Sequence, residues 1–447
     1  MISIDTFGPH LFPRDPHGKL LKVSHGQGIY LYDDTGRRFM DGGMGAGAAC
    51  LGHAHPRLSA TLARQAEKVA FAHTSLFVSE PLLELSEQLV SRFEPGARVY
   101  FVSGGSEGIE TALKIARSYQ LAAGRPARTQ VAARSISYHG ATLGALSATG
   151  LRKRRAPYEP LLLPVLRAVT SYCYRCPLGL AQPSCDIACA ADVESLISAN
   201  REDLAAVLIE PVIGASAPGV VSPPGYLPRI AAACEKEGVL LIADEVLCGM
   251  GRTGRFLAVE HDGVIPDIVV LSKALGAGHM PLGAVLVRQR IYQAICSTAP
   301  GHLVHGFTYS GSPLAAALGL EVLRIIDEEG LVRAAGNLGR RLLDRLGPLK
   351  RYRMVGEIRG RGLLIGVEFV ADAASRACFP PDGEITRRVF EACLAEGLIV
   401  YPCTGTVDGT NGDQILIAPP FIISTEEIDD LAARLDRAIG VVDRSLN

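Results

Sequence analysis

Between about residue 98 and residue 287 the chain carries short, unbroken apolar runs. They fall at residues 99–102, 207–209, 239–243, 268–271 and 284–287. Each has the length of a strand, and each is continuous rather than alternating. A strand reads that way when both of its faces are covered. Between the first two runs, Ile109, Ala112, Leu113 and Ala116 stand at i, i+3, i+4 and i+7, the period of a helix with one buried face. Strand-length runs alternating with helical periodicity predict an α/β fold with a mostly parallel central sheet.

The remainder of the chain reads differently. Residues 28–41, GIYLYDDTGRRFMD, form a β-hairpin pattern around a turn at Asp34-Thr35-Gly36, and a glycine-rich loop follows at 42–50. From His55 to about residue 93 the sequence reads as helix, broken near Pro81. After residue 315 come two long helices, then strands in GLLIGVEFV and QILIA, and an amphipathic helix from about Thr425. A chain of 447 residues exceeds the ~250–300 at which single cores stop growing. The expected division is an N-terminal segment (1–55, part of the small domain), a large domain (56–315) and a smaller α+β C-terminal domain (316–447).

Three constellations carry chemistry. In FVSGGSEGIE, a strand runs through Ser103, Gly104, Gly105 and Ser106 into a helix. Glycines allow close backbone approach and a helix N-terminus offers free N–H groups, so a phosphate fits there. A plain helix entry capped by Ser103 or Ser106, with Glu107 in the first turn, is the bland alternative. In LLIADEV, Asp244 and Glu245 end an apolar strand, at the sheet edge that faces ligands in open α/β folds. Capping the next element is the competing use. In PDIVVLSKALGAG, Lys273 follows a strand, where desolvation makes an amine nucleophilic. A lone lysine there more often snorkels to solvent. Together the three supply what pyridoxal phosphate needs: an amine for its aldehyde, a carboxylate for its ring nitrogen and a cradle for its phosphate.

The chain resembles the class III (omega) aminotransferases of the fold type I pyridoxal-phosphate enzymes. IADEVLCGMGRTG, PDIVVLSKALGAGHMPLGAV and HGFTYSGSPLAAA are its most specific matches, and the likeness runs from the DDTGRRFMD hairpin to APPFIIS. It implies that Lys273 is the Schiff-base lysine and proton carrier and that Asp244 pairs with the ring nitrogen. It further implies that Val246 and Tyr138 cover the two ring faces, with His139 beside them. Gly105 and Ser106, next to Gly104, would hold the phosphate, and Glu210 would lie near the ring oxygen. Thr308 would reach the phosphate from a neighbouring subunit, making a homodimer or dimer of dimers. The implied reaction moves an amino group from an amine or omega-amino acid to a keto acid, pyruvate or 2-oxoglutarate. A lyase or aminomutase on the same fold is the alternative, since those enzymes share the same anchors.

The departures concern the phosphate loop and the substrate. Gly104 stands where relatives often carry Ser, and Gly108-Ile109 where Ala-Asn is common. Acetylornithine-type enzymes hold the substrate carboxylate with an arginine where this chain has Leu416. Other omega-aminotransferases carry a mobile arginine in the stretch matching residues 401–414, which here has none. A guanidinium is the natural carboxylate clamp. Another arginine must supply it, or the amine donor is held without one. The 42–50 loop, Phe77 and a partner's Phe307 are the expected pocket walls.

Cys173, Cys176, Cys185 and Cys189 form C-x2-C-x8-C-x3-C. That spacing suits a zinc site or an iron–sulfur cluster, or a surface insertion whose thiols stay reduced or form one bridge. No metal is assigned. The basic run Arg152-Lys153-Arg154-Arg155 reads as a solvated face. A net charge of −1 leaves no footprint for nucleic acid or an anionic membrane. No apolar run approaches ~18 residues, and MISIDTFGPHLFPRD lacks the pattern of a secretory leader, so a cytoplasmic enzyme is expected.

Overall fold

The structure is a computed structural model that describes residues 10–12, 14 and 20–446. The N-terminal stretch read for a leader lies largely outside them. Strands β1 (Val23–Gln27), β2 (Tyr30–Asp33) and β3 (Arg38–Asp41) make an antiparallel meander, with the predicted turn between β2 and β3. The central sheet follows: β4 (Arg98–Val102), β5 (Gln130–Arg134), β6 (Leu166–Ala168), β7 (Leu204–Ile209), β8 (Leu240–Asp244), β9 (Ile268–Leu271) and β10 (Gly283–Val287). A further set comprises β11 (Val355–Arg361), β12 (Leu364–Phe369), β13 (Leu398–Ile399), β14 (Tyr401–Thr404) and β15 (Asp413–Ile417).

The central sheet is ordered β4-β10-β9-β8-β7-β5-β6. Pairs β9/β8, β8/β7, β7/β5 and β5/β6 are parallel, while β10 is antiparallel to both of its neighbours. The connection from β9 to β10, residues 272–282, therefore needs no crossover helix and holds only the short turn Lys273–Leu275. Every residue of β7, β8, β9 and β10 is buried, as their unbroken apolar runs require. The helix Gly105–Ala122 covers one face through Ile109, Ala112, Ile115 and Ala116 against Leu208, Ile242, Val270 and Val285. The helices Tyr226–Glu237 and Pro313–Glu328 contribute to the core on the other face.

Strands β11-β12-β15-β14 form an antiparallel sheet near the C-terminus, backed by the helices Leu331–Leu346 and Ile385–Ala395, and the last helix, Thr425–Arg444, packs on those two helices. The last helix opens on a capping box between Ser424 and Glu427, one residue from the expected start. Strand β13 pairs in parallel with β3, joining the N-terminal meander to the C-terminal part of the chain.

Two expectations need correction. The 55–93 segment is two helices, Pro56–Lys68 and Glu80–Val90, separated by non-helical residues. Pro81 lies in the first turn of the second, where its missing N–H costs nothing. Strands β5 and β6 escaped the apolar-run search, because QVAAR and LRA are short and carry charge at one end. The basic run Arg152–Arg155 is a short helix whose Arg152, Lys153 and Arg154 side chains are exposed, as a solvated face requires, while its backbone packs on the 404–409 segment. There the Lys153 N–H donates to the Gly409 carbonyl at 2.9 Å. Among the described residues no helix is long and apolar enough to cross a membrane.

Candidate active site

Strands β5, β7, β8 and β9 run in one direction, and β4 runs with them because it is twice reversed through β10. Their carboxyl ends therefore share one edge of the sheet, the usual place for ligands in open α/β folds. The segments leaving those ends carry Ser103–Ser106, Tyr138 and His139, Glu210, Asp244 and Val246, and Lys273. One pocket is lined by Gly105, Ser106, Tyr138, His139, Glu210, Asp244, Val246 and Lys273, together with Gly140, Val212, Gly214, Ala215, Leu247 and Cys248. Gly104 caps the helix just outside this lining, and neither Ser103 nor Ser106 caps it by a side chain.

Lys273 lies two residues beyond β9 with φ +42°, in the left-handed region that a side-chain-bearing residue seldom adopts. Burial pushes its amine below the ordinary lysine range, with Asp244 and Glu210 pulling the other way. Its turn is anchored by the Ser272 hydroxyl, which donates to the Leu282 carbonyl at 2.9 Å.

Asp244 is buried at the end of β8. Its Oδ2 lies 2.7 Å from Nδ1 of buried His139, and its Oδ1 accepts the Val246 N–H at 3.1 Å. Both readings of Asp244 thus hold together: it closes the local turn and points a carboxylate at the pocket. His139 Nε2 is buried without a partner. Glu210 is raised above the ordinary carboxylate range by burial. It accepts N–H groups from Tyr138 at 3.1 Å and Gly214 at 3.0 Å, tying three pocket segments together. Glu245, the neighbour of Asp244, turns away. It accepts N–H groups from Ala258 and Val259, each at 2.9 Å, and burial lifts its carboxyl to about 7.

The anion cradle rests on glycines for steric reasons. A Cβ on Gly105 would come 2.9 Å from Val246 Cγ1, and one on Gly140 (φ +145°) would come 2.5 Å from Ser106 Oγ. Gly108, a departure from the usual pattern, would place a Cβ 2.6 Å from Val270 Cγ1, so close helix–sheet packing requires it. At Gly104 nothing lies within 4 Å, and no packing reason for glycine exists there. The 42–50 loop and Phe77 do not line this pocket. Thr308 is exposed and also outside the lining; a contact made in trans cannot occur within one chain. Sequence reasoning missed Cys248 and Gly214. Cys248 stands four residues after Asp244, with its thiol 3.6 Å from the Asp244 carbonyl, a helical spacing that was available to find it.

The class-III aminotransferase family model matches residues 12–439. This chain is a class III aminotransferase. It is 37% identical over 427 residues to the uncharacterized aminotransferase YodT of Bacillus subtilis, covering 95% of this chain and 96% of that protein. A thermostable (S)-enantioselective omega-transaminase from Thermomicrobium roseum superposes with a TM-score of 0.92 at 37% identity, covering 98% and 97% of the two chains. The omega transaminase of Pseudomonas jessenii in complex with PMP gives 0.91 at 33% identity, covering 99% and 98%. Like the rest of its family, the enzyme transfers amino groups, and the family depends on pyridoxal phosphate.

The cysteines of the C-x2-C-x8-C-x3-C segment all line one small cavity beside Thr170 and Pro223, and all are free thiols. Among the described residues no group of three His, Cys, Asp or Glu side chains is arranged to hold a metal.

Proposed function

We propose that this class III aminotransferase holds pyridoxal phosphate in the Lys273 pocket and moves the amino group of an amine or omega-amino acid to pyruvate or 2-oxoglutarate. The observation that carries this reading is the convergence, in one pocket, of a desolvated lysine, a carboxylate backed by a histidine, and a helix N-terminus floored by glycines. The donor set fits the group. Gly105 and Ser106, with Gly104 beside them, would hold the phosphate through first-turn N–H groups that have no carbonyl of their own. Asp244 would keep the ring nitrogen protonated, and His139 holds Asp244 in place. Val246 and Tyr138 would cover the ring faces, and Glu210 would stand near its edge.

When bound, pyridoxal phosphate supplies a ring that accepts electrons from the substrate carbon. Lys273 Nζ takes the proton from that carbon and returns it, and its lowered pKa keeps a neutral amine available for the task. The walls formed by Val212, Leu247 and Val246 keep the proton from exchanging freely with bulk water.

Thr308 would complete the phosphate site from a second copy, as a homodimer or dimer of dimers. Supporting this are three consecutive exposed apolar residues, Leu76 (79% exposed), Phe77 (65%) and Val78 (62%), a local apolar display of the kind that marks an interaction surface. A division into residues 1–55, 56–315 and 316–447 and a cytoplasmic setting belong to the same reading. The unpaired state of all eleven cysteines suits a reducing compartment.

The test is spectroscopic. Wild-type protein incubated with pyridoxal phosphate should gain a visible band that an amine donor bleaches and a keto acid restores. Lys273→Ala should abolish both changes. A wild type with no such band, or a Lys273→Ala enzyme that transfers as fast as the wild type, would falsify the proposal. Product formed without any keto acid would favour the lyase alternative, whereas the relatives reported above are all aminotransferases or transaminases by name.

A further inference from the structure

The stretch from residue 401 to residue 414 lacks an arginine, and Leu416 fills the other expected position. In the structure Leu416 is fully buried, packed with Val212, Leu247, Cys248 and Cys403. The basic helix Arg152–Arg155 lies against that same stretch. The Lys153 N–H binds the Gly409 carbonyl, Lys153 Nζ is 3.4 Å from Thr404 Oγ1, and a Cβ on Gly409 would come 3.2 Å from Arg152 Cβ. Positive charge missing from one segment is thus present on the segment packed beside it.

Within that helix Arg154 is exposed and stands beside a residue of the pocket wall. Its Cζ stands 5.1 Å from the centroid of the Tyr138 ring, and Tyr138 lines the Lys273 pocket. Its charge also bears on the phenol of Tyr401 and the thiol of Cys403, and Cys403 feels the charge of Lys273 as well.

The other arginines near the pocket are already committed. Buried Arg134 donates to the Glu210 carbonyl and to Ser171. Arg252 donates to the carbonyls of Leu363, Pro419 and Gly47 and stacks on Phe421. Arg359 pairs with Glu357 and Glu368 at 2.7 and 2.8 Å. Among the described residues Arg154 has no carboxylate partner. Stacking on Tyr138 and hydrogen bonding toward the neutral Tyr401 hydroxyl restrain its guanidinium without neutralising it, and a restrained, uncompensated guanidinium is the group that takes a carboxylate through parallel bonds.

We infer that Arg154 binds the carboxylate of the substrate, so that the site accepts keto acids and amino acids in preference to neutral aldehydes and amines. The inference rests on the function proposed above. The arginine reaches the pocket from the face of Tyr138 rather than from the 401–414 segment.

The experiment compares holoenzymes of the wild type, Arg154→Gln, Arg154→Lys and Arg152→Gln. With one amine donor, kcat/KM is measured for pyruvate and for propanal, which lacks the carboxylate. Competition by propanoate against a neutral amine donor is measured separately as a binding constant. For Arg154→Gln the pyruvate-to-propanal ratio should fall by about 10- to 100-fold, and propanoate should bind weaker by a similar factor, the usual range for a lost charge-assisted pair. Arg154→Lys, which keeps the charge without the fork, should fall between Arg154→Gln and the wild type. Arg152→Gln should keep the wild-type ratio. A ratio in Arg154→Gln within threefold of wild type overturns the inference, as does an equal fall in Arg152→Gln. A wild type that transfers no amino group overturns the functional reading and this inference with it. Normal wild-type transfer with an unchanged Arg154→Gln ratio overturns this inference alone.

Discussion

An amine is a useful nucleophile only when it is neutral, and a buried lysine carries that property at a cost in stability. In the unfolded chain Lys273 titrates near 10.5, and burial lowers it in the folded protein. As pH falls below 10.5 the unfolded chain binds a proton that the folded chain does not, so the apoprotein loses stability until the folded pKa is reached. Lys273→Met removes this linkage. The apo variant should resist urea better than the apo wild type at about pH 8, with the gap closing as pH rises through the unfolded value. Identical urea midpoints at every pH would contradict the burial argument. A second residue-scale expectation concerns Gly108. Gly108→Ala places a methyl 2.6 Å from Val270 Cγ1, between a helix and a strand that cannot easily part. A loss of about 1–3 kcal/mol in equilibrium unfolding is expected, the usual cost of overpacking. At this scale the sequence was informative where chemistry is unusual. Lys273, Asp244 and the glycine loop stood out because few other uses suit them in that order. Arg154 did not stand out, because four basic residues in a row look like any solvated face until the opposing strand is in place.

Adjacent residues on one element are given opposite tasks by the pleat and the turn that follows it. Asp244 ends β8 facing the pocket, while Glu245 points the other way and receives the N–H groups of Ala258 and Val259. Glu245 thereby fastens the loop after β8 to the turn at Ala258–Asp262. Glu245→Ala strands two buried N–H donors, and unfolding free energy should drop by about 2–5 kcal/mol. Retained stability in calorimetry would show that water replaces the carboxylate. The element-level reading succeeded for long or strongly apolar segments, such as β7 to β10 and the helix Gly105–Ala122. It failed for β5 and β6, whose three to five residues carry arginine or glutamine and owe their strand conformation to the neighbouring strand, β7 for β5 and β5 for β6.

A buried polar knot joins the central sheet's flank to the antiparallel sheet near the C-terminus. Glu368 on β12 accepts from Tyr172, Arg175, Arg359 and Gln414, and is fully enclosed. Burial raises its carboxyl to about 8. Tyr172 and Arg175 belong to the segment that carries Cys173 and Cys176, so this knot ties the cysteine cavity to the antiparallel sheet. Glu368→Leu leaves the Arg175 guanidinium without its carboxylate and Arg359 with Glu357 alone, and a destabilisation of about 3–5 kcal/mol is expected. Thermal unfolding that splits into two transitions would show that the knot also couples the two sheets. Unchanged unfolding would refute its role.

The sequence by itself determined the fold class, the family and the residues suited to hold the cofactor. Those depend on local pattern: unbroken apolar runs, glycines at a strand–helix junction, and charged residues at strand ends. The tertiary structure decided which partners those residues meet. His139 reaches Asp244 across 105 residues, and Arg154 comes to lie over Tyr138 while its helix packs on a strand some 250 positions away. Such contacts are set by strand order and by which loops share a sheet edge. A linear pattern carries no record of that order, so the residues proposed to anchor the cofactor could be picked out from the chain, whereas the residue inferred to choose the substrate needed the fold.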